Sequence, residues 1–138
     1  SNAQWAAYYN DQAQWEKAAE FYDKALKEAP DDLTIIKALA ALYLKTKAYV
    51  LAGEFTLEKL ELFPTQIELY IIYGQAQFYL ERWDAALKQL ELGLDYIFEE
   101  NQTAVTYYGL MADLYTKTNN IAQAKSFKNK VKTLKKND

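Results

Sequence analysis

Paired carboxylates are the residues of this 138-residue chain whose types and spacing come closest to catalytic chemistry. Glu58 and Glu61 lie three residues apart, and Asp31–Asp32 is an adjacent pair, as is Glu99–Glu100. Two carboxylates on one helical face could act as general acid and general base. Exposed helix charge and helix capping are the commoner roles of such pairs. We therefore interpret these carboxylates as surface charges and caps.

Other groups that carry catalysis or bind metals are missing from the sequence. It contains no histidine and no cysteine, which removes the commonest general base, thiol nucleophiles, disulfides and most zinc sites. The four glycines, Gly53, Gly74, Gly93 and Gly109, are scattered singly rather than gathered in a phosphate-binding loop. The sequence therefore predicts no enzyme, and neither a metal nor a cofactor.

Composition narrows the class of partner. Apolar residue types make up 51% of the chain, and the formal net charge is -3. This balance gives no overall basic field that would attract nucleic acid or anionic lipid. No uninterrupted apolar run is long enough to span a bilayer. Cysteine-free chains work in any redox compartment, so the cytoplasm and the periplasm both stay open.

The sequence repeats itself with a step of 34 residues. We call a position that recurs at this step a slot, and residues of similar size fill each slot. The clearest slots hold Trp15, Tyr49 and Trp83; Ala18, Ala52 and Ala86; Ala6, Ala40 and Gly74; Trp5, Leu39 and Tyr73; Leu26, Leu60 and Leu94; and Pro30 and Pro64. A fourth copy follows after about four extra residues near 99–102, with a step of 38 from Ala86 to Ala124.

The period and the slots resemble the tetratricopeptide repeat (TPR), whose pattern of a large residue, Leu-Gly, Tyr, Ala and Pro recurs at this spacing. The first copy matches at Trp5-Ala6, Tyr9, Trp15, Ala18, Tyr22, Ala25 and Pro30, and the third at Tyr73-Gly74, Trp83 and Ala86. Gln77, in a usual tyrosine slot, and Lys59, in a usual alanine slot, depart from the pattern. The resemblance covers nearly the whole chain. More loosely, residues 90–115 are similar to the C-terminal arrays of long Bacteroidetes tetratricopeptide proteins.

The resemblance implies an all-α fold, a right-handed alpha-alpha superhelix (TPR solenoid) of about four helix-turn-helix repeats. We expect one domain over residues 4–138, with repeats at about 4–32, 33–66, 67–100 and 105–138, and residues 1–3 are typical of a tag remnant. Helices are predicted near 4–11, 15–29, 33–46, 49–62, 67–80, 83–99, 103–118 and 121–135. The sixth helix is expected to run on because Phe98 replaces the third proline.

The two chain ends carry different expectations. Lys128 and Lys132 occupy the slots held by Tyr22 and Leu26 in the first repeat. Lysines in slots that would face a following repeat predict a capping end. The first helix begins almost at the remnant, so we expect further repeats before it in the natural protein.

In the tetratricopeptide fold the first helix of each repeat lines a concave groove. The copies place these residues there: Lys37, Ala41, Leu44, Lys45, Ile71, Gln75, Phe78, Tyr79, Asp113, Thr116 and Lys117, with Thr106 and Gly109 beside them. Ile71 and Phe78 are seven residues apart and are expected to face the groove as one apolar stripe. A clamp of Lys, Asn and Arg grips a terminal carboxylate in some grooves of this family, and only Lys37 matches it.

Two classes of function remain. The first is a protein–protein interaction module that binds a peptide or helical segment in its concave groove, without catalysis and without nucleic acid. The second is a structural spacer or self-associating scaffold segment of a larger cell-envelope protein. The first class requires an accessible apolar groove, whereas the second requires adhesive ends and an inert groove. The oligomeric state stays open between them.

Overall fold

The computed structural model describes residues 1–137, and that part of the chain forms eight α-helices and no β-strand. The helices are α1 (Asn2–Asp11), α2 (Trp15–Glu28), α3 (Leu33–Lys45), α4 (Tyr49–Leu62), α5 (Ile67–Tyr79), α6 (Trp83–Gly93), α7 (Gln102–Lys117) and α8 (Ile121–Lys136). One turn of 3₁₀ helix, Leu94–Tyr96, follows α6. The predicted all-α class is confirmed.

Successive helices pack into a helical-repeat superhelix. Helices α1 and α2 form the first helix pair, and three more pairs follow along the chain. The first helices of neighbouring pairs also touch directly, α3 with α5 and α5 with α7. These first helices form an inner layer, and the second helices, α2, α4, α6 and α8, form an outer layer. The slots of the sequence therefore recur in space as equivalent packing positions.

Alanines occupy fully buried positions in the first helix pairs. Ala18, Ala52 and Ala86, one from each of the first three second helices, have no exposed surface. Ala6 and Ala40 on the facing helices are equally buried. A methyl side chain in these slots lets two backbones approach closely and leaves no void. The repeat step therefore reflects one packing solution used several times.

The same turn joins the two helices of every pair, and one residue of this turn has the left-handed conformation. The four residues are Ala13, Lys47, Glu81 and Asn119, with φ of 57°, 62°, 59° and 60°. The next N–H in each turn donates to a carbonyl five residues back, as from Gln14 to Tyr9 over 2.9 Å. This is the long bond of a Schellman helix end. The sequence pattern did not reveal it, because the position is usually glycine and here never is.

The helix starts agree with the sequence at several points. Trp15, Tyr49 and Trp83 are the first residues of α2, α4 and α6. The Oδ1 atom of Asp32 accepts hydrogen bonds from the N–H groups of Thr34 (3.1 Å) and Ile35 (3.3 Å). Asp32 therefore caps α3, as predicted.

The first helix starts earlier than predicted. Helix α1 begins at Asn2 rather than residue 4, because the Oγ atom of Ser1 accepts a hydrogen bond from the Gln4 N–H over 3.2 Å. The Gln4 side chain in turn accepts from the N-terminal amine, completing a capping box. Ser1, Asn2 and Ala3 thus take part in the helix and its cap.

The sixth helix ends at Gly93, so the prediction that it runs on to residue 99 was wrong. The hydroxyl of buried Tyr107 donates to the carbonyl of Leu90, which lies in the last turn of α6. A Cβ atom on Gly93 would lie 2.8 Å from Cγ of Tyr70, so the two tyrosines pack directly on this glycine. The chain then leaves the helix through the 3₁₀ turn, and Phe98 beyond it is 83% exposed.

Candidate functional site: a cavity between the inner helices

A cavity of about 320 Å³ lies between the end of α5 and the middle of α7. Its walls are Gln75, Phe78, Tyr79, Thr106, Gly109, Leu110 and Asp113. All of these except Leu110 had been placed in the groove from the sequence. Leu110 completes the buried floor, at 9% exposure. We call this cavity the inner pocket.

An aromatic pair forms one wall of the inner pocket. Phe78 is half-buried, and its ring meets the ring of Tyr79 edge-on, with centroids 5.7 Å apart at 86°. Tyr79 is 61% exposed and stacks on Tyr49, with centroids 4.8 Å apart and planes at 15°. Sequence reasoning missed Tyr49, which it assigned only to the start of α4. An exposed aromatic held by a second ring suits contact with another molecule.

A lysine closes the far side of the aromatic wall. The Nζ atom of Lys117 lies 5.9 Å from the ring centroid of Phe78 and 5.7 Å from that of Trp83. Trp83 in turn donates its Nε1–H to the carbonyl of Phe78 over 3.3 Å. These distances permit cation–π attraction on both rings. Lys117 therefore adds positive charge beside the apolar wall.

Gly109 keeps the inner pocket open. A Cβ atom built on Gly109 would meet no heavy atom within 4 Å. Gly74, one layer deeper, differs, because a Cβ there would lie 2.9 Å from side-chain carbons of both Leu90 and Leu110. A Cβ atom at position 74 would therefore force the ends of these leucine side chains to shift, whereas one at 109 would meet nothing. The missing side chain at 109 leaves free space in the pocket wall.

Ile71 does not face the groove, which corrects the predicted Ile71/Phe78 stripe. Ile71 is 8% exposed and belongs to the main hydrophobic core together with Ile36 and Leu69. Helix α5 packs against α3, α4, α6 and α7, so its N-terminal half is covered on several sides. Only the C-terminal half, with Phe78 and Tyr79, retains a face toward the groove.

The predicted residues on α3 lie outside the inner pocket. The Nζ atom of Lys37 pairs with Oε2 of Glu68 at 3.6 Å. The Nζ atom of Lys45 lies 4.4 Å from the ring centroid of Trp15. Ala41 is exposed and Leu44 is half-buried. None of these four side chains lines the α5–α7 cavity.

On α7, Thr116 is a predicted residue that also lies outside the cavity lining. It is exposed, and its hydroxyl donates to the carbonyl of Ala112 over 2.9 Å. A threonine hydroxyl bonded to its own helix offers a ligand little. The inner pocket is therefore narrower than the groove predicted from the sequence.

One member of each predicted carboxylate pair forms an ion pair, a helix cap or a hydrogen bond with a neighbouring residue. Glu58 pairs with Lys59 at 3.6 Å, Asp32 caps α3, and Glu99 accepts a hydrogen bond from the Asn101 side chain at 3.2 Å. Among the side chains of residues 1–137, no group of three or more carboxylates gathers where a metal ion could sit. Of the helices in this range, none combines the length and the apolar character that a membrane crossing requires.

Comparison with known families gives one match. The sequence profile of the family described as anaphase-promoting complex, cyclosome, subunit 3 matches residues 11–92, which span the second helix of the first pair through α6. No curated protein sequence matches the chain.

Solved structures of MamA, a TPR-repeat protein, share the fold. A MamA RS-1 ArsTM double mutant aligns with a TM-score of 0.86 at 19% identity, over 99% of this chain and 74% of that chain. MamA 41-end from Desulfovibrio magneticus RS-1 gives 0.85 at 19% identity, over 99% and 75% of the two chains. A further crystal structure of MamA gives 0.84 at 21% identity, over 94% and 74%. At this level of identity the likeness establishes the fold.

Proposed function

We propose that this chain is a protein-interaction module that binds a peptide or helical segment in its inner pocket. The chain belongs to the tetratricopeptide-repeat family described as anaphase-promoting complex, cyclosome, subunit 3. Helical-repeat superhelices present extended concave surfaces that bind other proteins. The chain contains no histidine or cysteine for catalysis. Binding without a chemical step therefore accounts for the surface that the fold builds.

One observation carries this proposal: an open pocket beside an aromatic pair, half-buried Phe78 and exposed Tyr79. Gly109 leaves space that the fold does not need, and Tyr79 stands 61% exposed at its edge. Aromatic side chains in partly enclosed sites dominate the binding energy of protein interfaces. A ligand side chain of apolar character would fill the space over Gly109 and contact the ring of Phe78.

Charges around the pocket constrain the ligand further. Lys117 is exposed beside Phe78 and favours an acidic flank on the bound segment, because rim charges steer association. Lys45, also exposed, lies against Trp15 and outside the pocket lining. Lys37 contributes less, because Glu68 already neutralises it. Asp113, in the pocket wall, favours a hydrogen-bond donor close to the apolar anchor. The expected ligand is thus an apolar anchor beside a donor group, followed by an acidic stretch.

The test selects a phage-displayed random peptide library on the wild-type chain and measures the selected peptides by fluorescence anisotropy. Phe78→Ala should weaken their binding by well over 1 kcal/mol. Gly109→Leu should weaken it too, because the new side chain would occupy the pocket. Lys88→Ala, on the outer face, is the control and should leave affinity unchanged. Thermal melting of each variant separates lost binding from lost folding.

A competing explanation of Phe78 is that it serves only the core. Phe78→Ala would then lower the melting temperature strongly, while the folded fraction would bind the selected peptides with wild-type affinity. If the Gly109→Leu variant, whose new side chain fills the pocket, also bound the selected peptides with wild-type affinity, the inner pocket would be ruled out as the binding site.

A second candidate function, a self-associating scaffold segment, is favoured by the first helix. Trp5 is 52% exposed and Tyr8 is 51% exposed. Leu39 and Leu42, which hold the same slots in the next repeat, are 0% and 3% exposed, because the preceding helix pair covers them. A pair of large exposed aromatic residues in these slots suits contact with a further helix pair, of a preceding repeat or of a second copy of the chain. Sedimentation velocity over a concentration series, on wild type and on Trp5→Ser, tests it.

A further inference from the structure

A second groove, on the outer layer, is built in a different way from the inner pocket. It lies between α4 and α6 and encloses about 420 Å³. Its lining residues are Leu57, Leu60, Glu61, Pro64, Tyr70, Gln89, Leu92, Asp95 and Tyr96. Leu60 and Tyr70 form a buried floor at 4% and 3% exposure, whereas Leu57 and Leu92 stand at the sides, 42% and 58% exposed. We call it the outer groove.

The other repeats show that the fold does not need these two leucines. The slot of Leu57 holds Asp23, Glu91 and Asn129 in the other copies, and all three are exposed. The slot of Leu92 holds Lys24, Glu58 and Lys130, which are exposed as well. Equivalent positions thus accept charged or amide side chains without loss of the helix pair. Leucine occurs in these slots only where they face each other across the outer groove.

The rigid floor makes this groove a defined shape. The Tyr70 hydroxyl donates to the carbonyl of Pro64 over 2.6 Å, which ties the start of α5 to the chain after α4. The rings of Tyr70 and Tyr96 lie stacked, with centroids 6.4 Å apart and planes at 29°. Pre-formed sites of this kind lose little conformational freedom when a ligand binds.

The charges around the outer groove are mainly negative. Glu61 and Asp95 line it, both are exposed, and neither forms an ion pair within residues 1–137. The lining contains no lysine or arginine, and Lys59 of α4 is held between Glu58 and the ring of Phe55. Lys88, one helical turn before Leu92, is the one basic residue of α6 and is exposed. An apolar floor with carboxylates at its edge complements a cationic, amphipathic ligand.

We propose that the outer groove is a second docking site, which takes a cationic amphipathic protein segment with aliphatic anchors. Its anchors lie between Leu57 and Leu92 over the Tyr70 floor, and its lysine or arginine side chains face Glu61 and Asp95. The site is separate from the inner pocket in residues, in layer and in charge. One molecule of the chain can then hold two different segments at once.

The test uses two synthetic helical peptides with identical leucine positions, one carrying lysine and the other glutamate on its polar face. Binding to the 138-residue chain is measured by fluorescence anisotropy at low and high salt. The lysine peptide should bind, and should bind more weakly as salt screens the carboxylates. The glutamate peptide should bind at least tenfold more weakly, because its carboxylates are repelled by Glu61 and Asp95. A tenfold difference in affinity corresponds to about 1.4 kcal/mol.

The variants use substitutions that the repeat itself already tolerates. Leu57→Asp together with Leu92→Lys gives the residues found in the same slots of the first repeat, Asp23 and Lys24. This pair should lower affinity for the lysine peptide by roughly tenfold or more without lowering the melting temperature. Glu61→Gln with Asp95→Asn should abolish the salt dependence. Leu51→Lys, also outer and also the first-repeat residue of its slot, is the control and should change nothing.

Amide chemical shifts then locate the lysine peptide. Shifts confined to α4, α6 and the 3₁₀ turn support the outer groove. Shifts in the second half of α5 and in α7, or equal affinity of wild type and the Leu57→Asp/Leu92→Lys variant, overturn it. The inner-pocket variants Gly109→Leu and Tyr79→Ala should bind the lysine peptide as wild type does, so failure of either proposed site is visible independently of the other.

Discussion

Tyr79 at the end of α5 stacks on Tyr49 at the start of α4, with ring centroids 4.8 Å apart and planes at 15°. The exposed ring at the edge of the inner pocket is therefore held by the neighbouring repeat. A side chain that is already fixed in its bound orientation loses less entropy when a ligand arrives. The stacked pair also couples the second and third repeats at the surface rather than through the core.

Separating the two rings should reveal this coupling. We expect a double-mutant cycle of Tyr49→Leu and Tyr79→Leu to give an interaction free energy of about 0.5–1.5 kcal/mol, since aromatic pairs contribute this much beyond buried area. Urea denaturation of wild type, both single variants and the double variant supplies the four free energies. Strictly additive losses would show that the rings touch without stabilising each other.

Replacing each of two glycines with alanine should change the stability of the chain in opposite directions. Gly109→Ala should stabilise the chain by about 0.5–1 kcal/mol, because alanine suits a helix interior and the new Cβ meets nothing within 4 Å. Gly93→Ala should destabilise it by roughly 1–3 kcal/mol, because the new Cβ would lie 2.8 Å and 2.9 Å from atoms of the buried Tyr70 ring. Urea denaturation measures both, and each variant serves as the control for the other.

The opposite signs are what distinguish a free glycine from a packed one. If Gly109→Ala lowered stability, the inner pocket would not be open space, and the proposed peptide site would lose its main support. If Gly93→Ala left stability unchanged, the packing of Tyr70 and Tyr107 against α6 would not be what ends that helix.

Much of the fold could be predicted because the packing repeats. Trp15, Tyr49 and Trp83 start second helices, and Ala18, Ala52 and Ala86 are fully buried, since each pair solves the same problem. Because each slot recurs at a fixed spacing, the copies within one sequence can be compared with one another. The sequence-based predictions were wrong where one copy makes a contact that the others lack.

The end of α6 and the position of Ile71 are such cases. The hydrogen bond from the Tyr107 hydroxyl to the carbonyl of Leu90 joins residues 17 apart, and the 34-residue repeat does not predict it. Ile71 and Phe78 share one helical stripe, yet neighbouring helices cover only the first of them. The outer groove has a different kind of signal: leucines occupy positions 57 and 92 where the other copies hold polar or charged side chains, but only the fold brings these two leucines to one groove.

The left-handed turn residues offer a third prediction. Glu81 has φ of 59° with a full side chain, which costs roughly 1–2 kcal/mol relative to ordinary helical geometry. Glu81→Gly should therefore stabilise the chain by up to about 1 kcal/mol, after the larger entropy of glycine in the unfolded chain is subtracted. Asn119→Gly is the matched comparison and should gain less, because asparagine tolerates this conformation. Thermal and urea denaturation report both, and an equal or larger gain at 119 would contradict the argument.

The last prediction concerns alkaline pH and Tyr115, which is 6% exposed. Its hydroxyl donates to Oε1 of Glu91 over 2.7 Å, joining α7 to α6. Burial, and after it the hydrogen bond to Glu91 and the charge of that carboxylate, raise the pKa of Tyr115 to about 12. The unfolded chain keeps the ordinary tyrosine pKa of about 10. Burial likewise raises the pKa of Tyr107.

The folded state therefore binds the Tyr115 proton more tightly than the unfolded state does. This contribution to stability is fully present below pH 10 and is lost as pH rises toward the folded pKa of about 12. Each such tyrosine should lower the free energy of unfolding by about 1.4 kcal/mol per pH unit in that window. Urea denaturation in steps from about pH 9 to pH 12 should show a shallower decline for Tyr115→Phe than for wild type. The remaining slope comes from the other tyrosines whose pKa burial raises: Tyr22, Tyr43, Tyr70, Tyr107 and Tyr108. Tyr8→Phe, on the exposed end of the chain, is the control and should decline as wild type does. Parallel curves for Tyr115→Phe and wild type would show that the buried hydroxyl of Tyr115 does not control stability in this range.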